Sequence, residues 1–388
     1  MRDRFEAEPF TVAVPEPVLA DLRERLARVR WPIEPAAAPW RWGTSLAYLQ
    51  QVVAHWRDTY DWRRWERELN RWPQYHARIG GRRVHFILER GSGPRPLPLV
   101  LTHGWPGSVV EFLEVIDPLA HPERHGGDVA DAFTVIAPSL PGYGFSDPPE
   151  APITPRQVAG IWHQLVAEVL GCSRYVAQGG DWGAVVSSWL AFDHPGEVAA
   201  IHLNMVGLRG WTGEGAPPLT AEEKQWIGQA QKWRAREAAY QQIQGTKPQT
   251  LAYALTDSPV GLAGWILEKF HGWTVPGSEG PPPFDVDRLL TNVMLYWLNG
   301  FNASAWLYAA LVDGSAAGLG KGERLDVPTG LMLFPNDILS SPPDSWVRRA
   351  YGNLVHRRDA AAGGHFAMME RGPELVDEVR AFFRAYRG

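Results

Sequence analysis

The segment Gly179-Gly180-Asp181-Trp182-Gly183 sets a carboxylate among small residues, after the apolar run 175–177 and before a helical run over 184–192. This is the form of a nucleophile elbow. Small neighbours let a strand turn sharply into a helix and lift the middle side chain above a sheet, at the place where esterases carry serine. An aspartate in an ordinary glycine-rich turn is the plain alternative. Chemistry says what a lifted aspartate is for. Serine attack on a saturated carbon leaves an ether that water does not readily cleave, whereas carboxylate attack leaves an ester that water hydrolyses. The electrophile implied is therefore an alkyl carbon, as in epoxides and alkyl halides, and a carboxylate of pKa ~4 needs no base to ionise it at neutral pH.

Two further segments supply partners. His103-Gly104-Trp105-Pro106-Gly107-Ser108 follows the apolar run 97–102 and is the loop expected beside such an elbow. One backbone N–H comes from that loop and another from the residue after the nucleophile, which makes Trp105 and Trp182 the oxyanion-hole candidates. His103 itself reads as a brace for the loop. Near the C-terminus, Gly363-Gly364-His365-Phe366 offers His365 as the base. Taken alone an unpaired histidine is as well read as surface or structural, but His365 lies downstream of both Asp181 and Asp337. That is the chain order nucleophile, acid, histidine. Asp337 directly follows the apolar run 327–334, where a carboxylate can meet the far nitrogen of His365, although helix capping is its plainer role. Asp344 and Asp359 compete for the position but sit farther from a strand end.

These residues need a scaffold. The first 80 residues show amphipathic helical patterns, beginning with Leu19, Leu22, Leu26 and Val29 behind Pro15 and Pro17, and then a tryptophan-rich stretch. From Arg82 the pattern changes to short apolar runs at 97–102, 133–137, 174–177, 198–203 and 327–334, separated by helical segments of the kind that cross between parallel strands. The clearest helix follows Thr154-Pro155, with Val158, Ile161, Trp162, Leu165, Val166 and Val169 on one face and Gly171 as its stop. Strand character disappears over 207–322, which predicts a helical lid over the carboxyl ends of the sheet, where open α/β sheets bind ligands. The division expected is a helical N-terminal extension (1–80), a core in two parts (81–206 and 323–388) and the lid (207–322) between them.

Composition narrows the class. The chain has 388 residues, 45% hydrophobic and 21% charged, the balance of a globular protein with a sizeable core. A net charge of −5 without blocks of like charge argues against a nucleic-acid surface. The single Cys172 cannot form an intrachain disulfide, so a reduced cytoplasm is expected. Residues 1–10 read as neither signal peptide nor anchor, and no stretch reaches the ~20 apolar residues of a spanning helix. With 19 Trp, 14 Phe and 11 Tyr the aromatic load is heavy and suited to an apolar pocket. No metal-ligand cluster or phosphate loop is visible, and the chemistry requires no cofactor.

Together the HGWPGS loop, the Gly142–Ser146 stretch GYGFS, the GGDWG elbow, the GGHF segment and the N-terminal extension resemble an epoxide hydrolase of the microsomal-type branch of the α/β-hydrolase superfamily. The resemblance covers nearly the whole chain. It implies an α/β-hydrolase fold, with a mostly parallel central sheet, a helical lid and a helical N-terminal extension. It departs from the membrane-bound members in lacking their anchor, and it has aspartate at 337 where some relatives carry glutamate. The same resemblance points into the lid, where Tyr240 in AYQQIQ and the following Thr246-Lys247-Pro248 match the segment bearing one ring-opening tyrosine. Tyr308 is the second candidate and Tyr296 its rival. The implied reaction is two-step hydrolysis of a bulky apolar or aryl epoxide to a vicinal diol, with water as the second substrate. A haloalkane dehalogenase, which needs halide donors in place of phenols, and a noncatalytic receptor on the same fold are the alternatives. The resemblance extends to bacterial members of secondary metabolism, such as enediyne pathways, and of detoxification, of which the biosynthetic role is expected here. A homodimer is compatible with such an enzyme.

Overall fold

The computed structural model describes residues 6–312 and 318–387. The reading of residues 1–10, and the part of the predicted lid at 313–317, lie partly or wholly outside them. Nine strands form one sheet: β1 (Glu8–Phe10), β2 (Gln74–Ile79), β3 (Arg82–Glu89), β4 (Leu97–Thr102), β5 (Phe133–Pro138), β6 (Tyr175–Gly179), β7 (Val198–Leu203), β8 (Thr329–Leu333) and β9 (Leu354–Asp359). Their order is β1-β2-β3-β5-β4-β6-β7-β8-β9. The strands from β5 to β9 run parallel, while β1, β2 and β3 make an antiparallel edge. The parallel strands read as unbroken apolar runs because helices cover both faces, leaving β5, β6 and β8 buried along their length.

The N-terminal extension is not purely helical, which corrects the expectation for residues 1–80. Three helices, Glu16–Ala27, Leu46–Asp58 and Trp62–Leu69, are present, but β1 and β2 pair with the sheet as well. β1 is three residues long, too short for a two-residue period to register, and β2 owes its place to pairing with β3 across a tight Gly80-Gly81 turn. The predicted stripe is real: Leu19, Leu22 and Leu26 are buried, with Val29 half-buried beyond the helix end. The extension clasps the lid through polar contacts. Arg25 pairs with Asp257 (2.8 Å), Tyr60 meets Thr291 (2.8 Å), and the Thr44 hydroxyl donates to Gly264 O (2.6 Å).

The helix after Thr154 begins at Pro155 with a capping box in which Thr154 and Gln157 satisfy each other's backbone. It runs as α-helix to His163 and continues as a wider π-turn over Gln164–Val169, keeping Val158, Trp162, Leu165 and Val166 in the core. Between β7 and β8 the described chain forms the helices Ala221–Glu237, Ala239–Thr246, Pro248–Asp257, Pro259–Gly272, Val286–Asn299 and Trp306–Val312. Among the described residues no helix is long and apolar enough to cross a membrane.

Candidate active site

Sheet topology brings the predicted residues together. β4 and β6 are parallel neighbours, with Thr102 opposite Gly179, so the loop after β4 and the elbow after β6 leave the sheet side by side. Asp181 opens the helix Asp181–Asp193 at φ 47°, the left-handed region that costs any residue with a side chain. The elbow closes only because its neighbours are small. A side chain at Gly183 would collide with Thr102 O, and one at Gly104 with the Asp181 carboxylate.

The two oxygens of Asp181 face different partners. Oδ1 accepts a hydrogen bond from Trp105 N–H (2.8 Å), and Oδ2 lies 3.3 Å from His365 Nε2. Trp182, the other oxyanion-hole candidate, is the second residue of the helix, where main-chain N–H groups have no intrahelical acceptor. Behind the histidine, Nδ1 contacts Asp337 Oδ1 at 2.6 Å. Asp337 and His365 follow the neighbouring strands β8 and β9, whose extensions remain paired: Asn336 N donates to Gly363 O (3.1 Å). His365 is also tied to the lid by its own N–H on Trp273 O (2.9 Å). The competing acids are engaged elsewhere, Asp344 and Asp359 both holding Arg357 (2.6 and 3.0 Å).

The lid closes over this group with aromatic side chains. Tyr240 stacks on Trp105 with ring centroids 5.1 Å apart, and Tyr308 packs edge-on to Trp182 at 4.8 Å. The two tyrosine rings are 5.8 Å apart. The Tyr240 oxygen accepts a hydrogen bond from Gln241 Nε2 (2.9 Å), and its hydroxyl is also hydrogen-bonded with that of Tyr308. Tyr296 is differently placed: its hydroxyl donates to Gly107 O (2.7 Å) and is spent bracing the loop that carries Trp105.

Comparison with known proteins bears on what this group does. The family description "Epoxide hydrolase N terminus" matches residues 7–112, and "alpha/beta hydrolase fold" matches residues 98–261. A Stigmatella aurantiaca protein provisionally named an epoxide hydrolase is 41% identical over 382 residues, covering 98% of this chain and 85% of its own. Epoxide hydrolase 1 of Sus scrofa is 33% identical, covering 96% and 88%. This chain belongs to the epoxide hydrolases. The crystal structure of juvenile hormone epoxide hydrolase from the silkworm Bombyx mori superposes with a TM-score of 0.83 at 30% identity, covering 99% of this chain and 95% of that one. For the Aspergillus niger epoxide hydrolase the TM-score is 0.84 at 30% identity, covering 98% of both.

Electrostatics in this epoxide hydrolase follow from burial and from the paired carboxylates. Burial opposes charge on His365 most strongly, yet Asp337 and then Asp181 outweigh it and hold its pKa well above the usual histidine value. The phenols are pushed the other way. Burial raises Tyr240, with the Asp181 charge adding to it, and burial raises Tyr308, with Tyr240 and Asp181 adding, so both stay protonated through the neutral range. His103 is buried and neutral, lowered to about 4 by desolvation. It contacts Gly104 O through Nδ1 (3.0 Å) and accepts from Leu140 N at Nε2 (3.2 Å), the geometry of a brace.

Three titratable residues at the site carry no sequence motif of their own. Lys269 lies over the Tyr240 ring (4.6 Å to the centroid), in ion-pair contact with Glu268. Glu370 accepts from Phe366 N (3.0 Å), and burial raises its pKa to about 7. Glu111, in the 3₁₀ turn Val109–Phe112, shares a cavity with Asp181 and His365, and burial raises it to about 8. Its place eight residues after His103 was the available signal. Metal-ligand chemistry gathers only at His163, His194 and Glu197 among the described residues. The two imidazoles stack face to face at 3.6 Å and within 1° of parallel, so their in-plane lone pairs do not converge on one ion.

Proposed function

We propose that this epoxide hydrolase converts a bulky apolar or aryl epoxide to a vicinal diol through a covalent ester on Asp181. Asp181 Oδ2 attacks an epoxide carbon, the carbon–oxygen bond of the ring breaks, and the Tyr240 and Tyr308 hydroxyls hydrogen-bond the departing alkoxide. Water then adds to Cγ of the ester and gives a proton to His365 Nε2, while Trp105 and Trp182 N–H hold the oxyanion on Oδ1. Collapse breaks the Cγ–alkyl oxygen bond and His365 returns its proton to that oxygen, while the second hydrogen of the water, left on the regenerated Asp181 carboxyl, passes to the oxygen freed on ring opening, so that the carboxylate, the histidine and both phenols end as they began.

One observation carries this reading: the Asp181 carboxylate is divided, with Oδ1 on a backbone N–H and Oδ2 beside a histidine that a second carboxylate backs. Esterification also suits the histidine to its task. It cancels the Asp181 charge that helps to keep His365 protonated, and so releases a base when one is needed. For substrate character, the rings of Trp105, Trp182, Tyr240 and Tyr308 packed together at the site suit an apolar or aryl epoxide.

The test is a single turnover of styrene oxide with enzyme in excess, in ¹⁸O-labelled water. Label in the peptide bearing Asp181 and none in the first diol is expected, with Asp181→Asn forming no diol; label entering the diol directly refutes the ester. Halide release is the second reading, favoured by the buried indole N–H of Trp105, which lacks an acceptor among the described residues. Alkyl halides run in parallel decide it. A narrow substrate preference across an epoxide panel supports the biosynthetic role, and broad turnover supports detoxification.

A further inference from the structure

A small cavity lies against Asp181 on the side away from the lid phenols. Thr102, Gly107, Glu111, Gln178, Asn204 and His365 are among its walls, and neither Tyr240 nor Tyr308 lines it. It leaves about 10 Å³ for the centre of a water-sized sphere, about the space one water needs. Asp181, His365 and Glu111 thus share one small, largely polar cavity to which neither lid phenol contributes.

We propose that this cavity is the station of the hydrolytic water and that Glu111 positions it for attack on the Asp181 ester. The inference rests on the ester reading above and adds a residue to it. Glu111 is built into the loop that carries Trp105. Gly107 has no side chain where the Glu111 carboxyl sits, since a Cβ there would collide with Oε1, and Gly104 N–H hydrogen-bonds the same carboxyl. The main chain of the turn is pinned by Arg288, whose Nη2 donates to Val110 O (3.2 Å) and Glu111 O (3.3 Å) while Nη1 pairs with Glu114 (2.8 Å). The charged groups facing the carboxyl are His365, Asp181 and Arg288. Burial keeps Glu111 neutral at pH 7, so it offers a carbonyl oxygen to the water without setting a second negative charge beside the tetrahedral intermediate.

The balance is simple. The water oxygen bonds to Cγ, one proton passes to His365 Nε2, and the other hydrogen stays donated to the Glu111 carbonyl oxygen. Glu111 keeps its own proton throughout. As a positioning residue it acts on the second step and not on the first.

Styrene oxide is mixed with the full-length wild type, Glu111→Ala, Glu111→Gln and His365→Gln, and ester formation and decay are followed by rapid quench and intact mass. Glu111→Ala should form the ester within about threefold of the wild-type rate and hydrolyse it about 10- to 100-fold more slowly, the cost of one well-placed hydrogen bond. Glu111→Gln, which keeps an amide oxygen in place, should recover most of that loss. The wild-type hydrolysis rate should decline above pH about 8 as Glu111 ionises, a limb that Glu111→Gln lacks. Ester decay at the wild-type rate in Glu111→Ala, or an equal loss in both steps in both variants, overturns the proposal. No ester in His365→Gln overturns the ester reading itself, which keeps the two failures apart.

Discussion

Replacing Asp337 by asparagine separates the two chemical steps. The Asp337 carboxylate lies 2.6 Å from His365 Nδ1, and both side chains are under 10% exposed, so solvent screens the pair little. When His365 takes a proton from water, a buried imidazolium forms beside that carboxylate. With charge centres about 4 Å apart and an effective dielectric of about 20, the attraction is about 4 kcal/mol, or roughly three decades in rate. Asparagine can keep an oxygen where Asp337 Oδ1 accepts from Ile338 N–H (2.6 Å) and meets Nδ1, so what the substitution removes is the charge. Ester hydrolysis should therefore fall about 10³-fold in Asp337→Asn. Ester formation needs the Asp181 carboxylate and the lid phenols, and should change by less than about tenfold. Rapid quench with intact-mass detection should show the ester building to near one per chain before turnover slows. Turnover within about threefold of wild type, or a parallel loss in both steps with no ester, would refute the reasoning.

The lid gives a contrast between tyrosines. Tyr240→Phe and Tyr308→Phe should each slow ester formation about 10- to 100-fold while sparing hydrolysis of ester already formed. Tyr296→Phe, which removes the bond to Gly107 O, should instead cost about 1 kcal/mol of stability in urea titrations with a smaller effect on ring opening. In histidine NMR, the His365 titration midpoint should fall in Asp181→Asn, because one of the two carboxylates that raise it is gone; an unchanged midpoint would mean that Asp337 acts alone. Acid should destabilise the fold before carboxylates titrate. His85, His103 and His202 are buried and lowered by desolvation to about 3, 4 and 4. The unfolded chain binds protons first, so stability is lost as pH falls from about 6.5 toward 4, by up to about 1.4 kcal/mol per histidine per pH unit. His365, Glu111 and Glu370 work in the opposite sense, their raised pKa values favouring the folded state at low pH and losing that contribution as pH rises. A urea midpoint unchanged between pH 6.5 and 5 would contradict the net effect.

Much of this was legible in the chain because it is local. An elbow is five consecutive residues, and the small types around Asp181 are demanded by a turn that admits nothing larger at Gly183. The loop at 103–108 and the order Asp181, Asp337, His365 follow from where parallel strands end, and such strands announce themselves as buried apolar runs. The same locality explains what was missed at the N-terminus. β1 and β2 are strands only by virtue of their partners, and three residues hold no period. Lid tyrosines are a different kind of problem. Tyr296 and Tyr308 both lie in apolar helical surroundings, and only the packing shows that one hydroxyl is taken by Gly107 O while the other ring stands against Trp182. Glu111 and Lys269 belong with them. Nothing about a glutamate in a short turn marks it as buried; its environment comes from Asp181, His365 and Arg288, which lie 70, 254 and 177 residues further along the chain. Sequence alone marked the candidate nucleophile and base, since residue type, short-range spacing and turn geometry are local properties. Tertiary structure alone decided which phenols face the nucleophile and which acid stays neutral, because burial and electrostatic coupling exist only once distant segments meet.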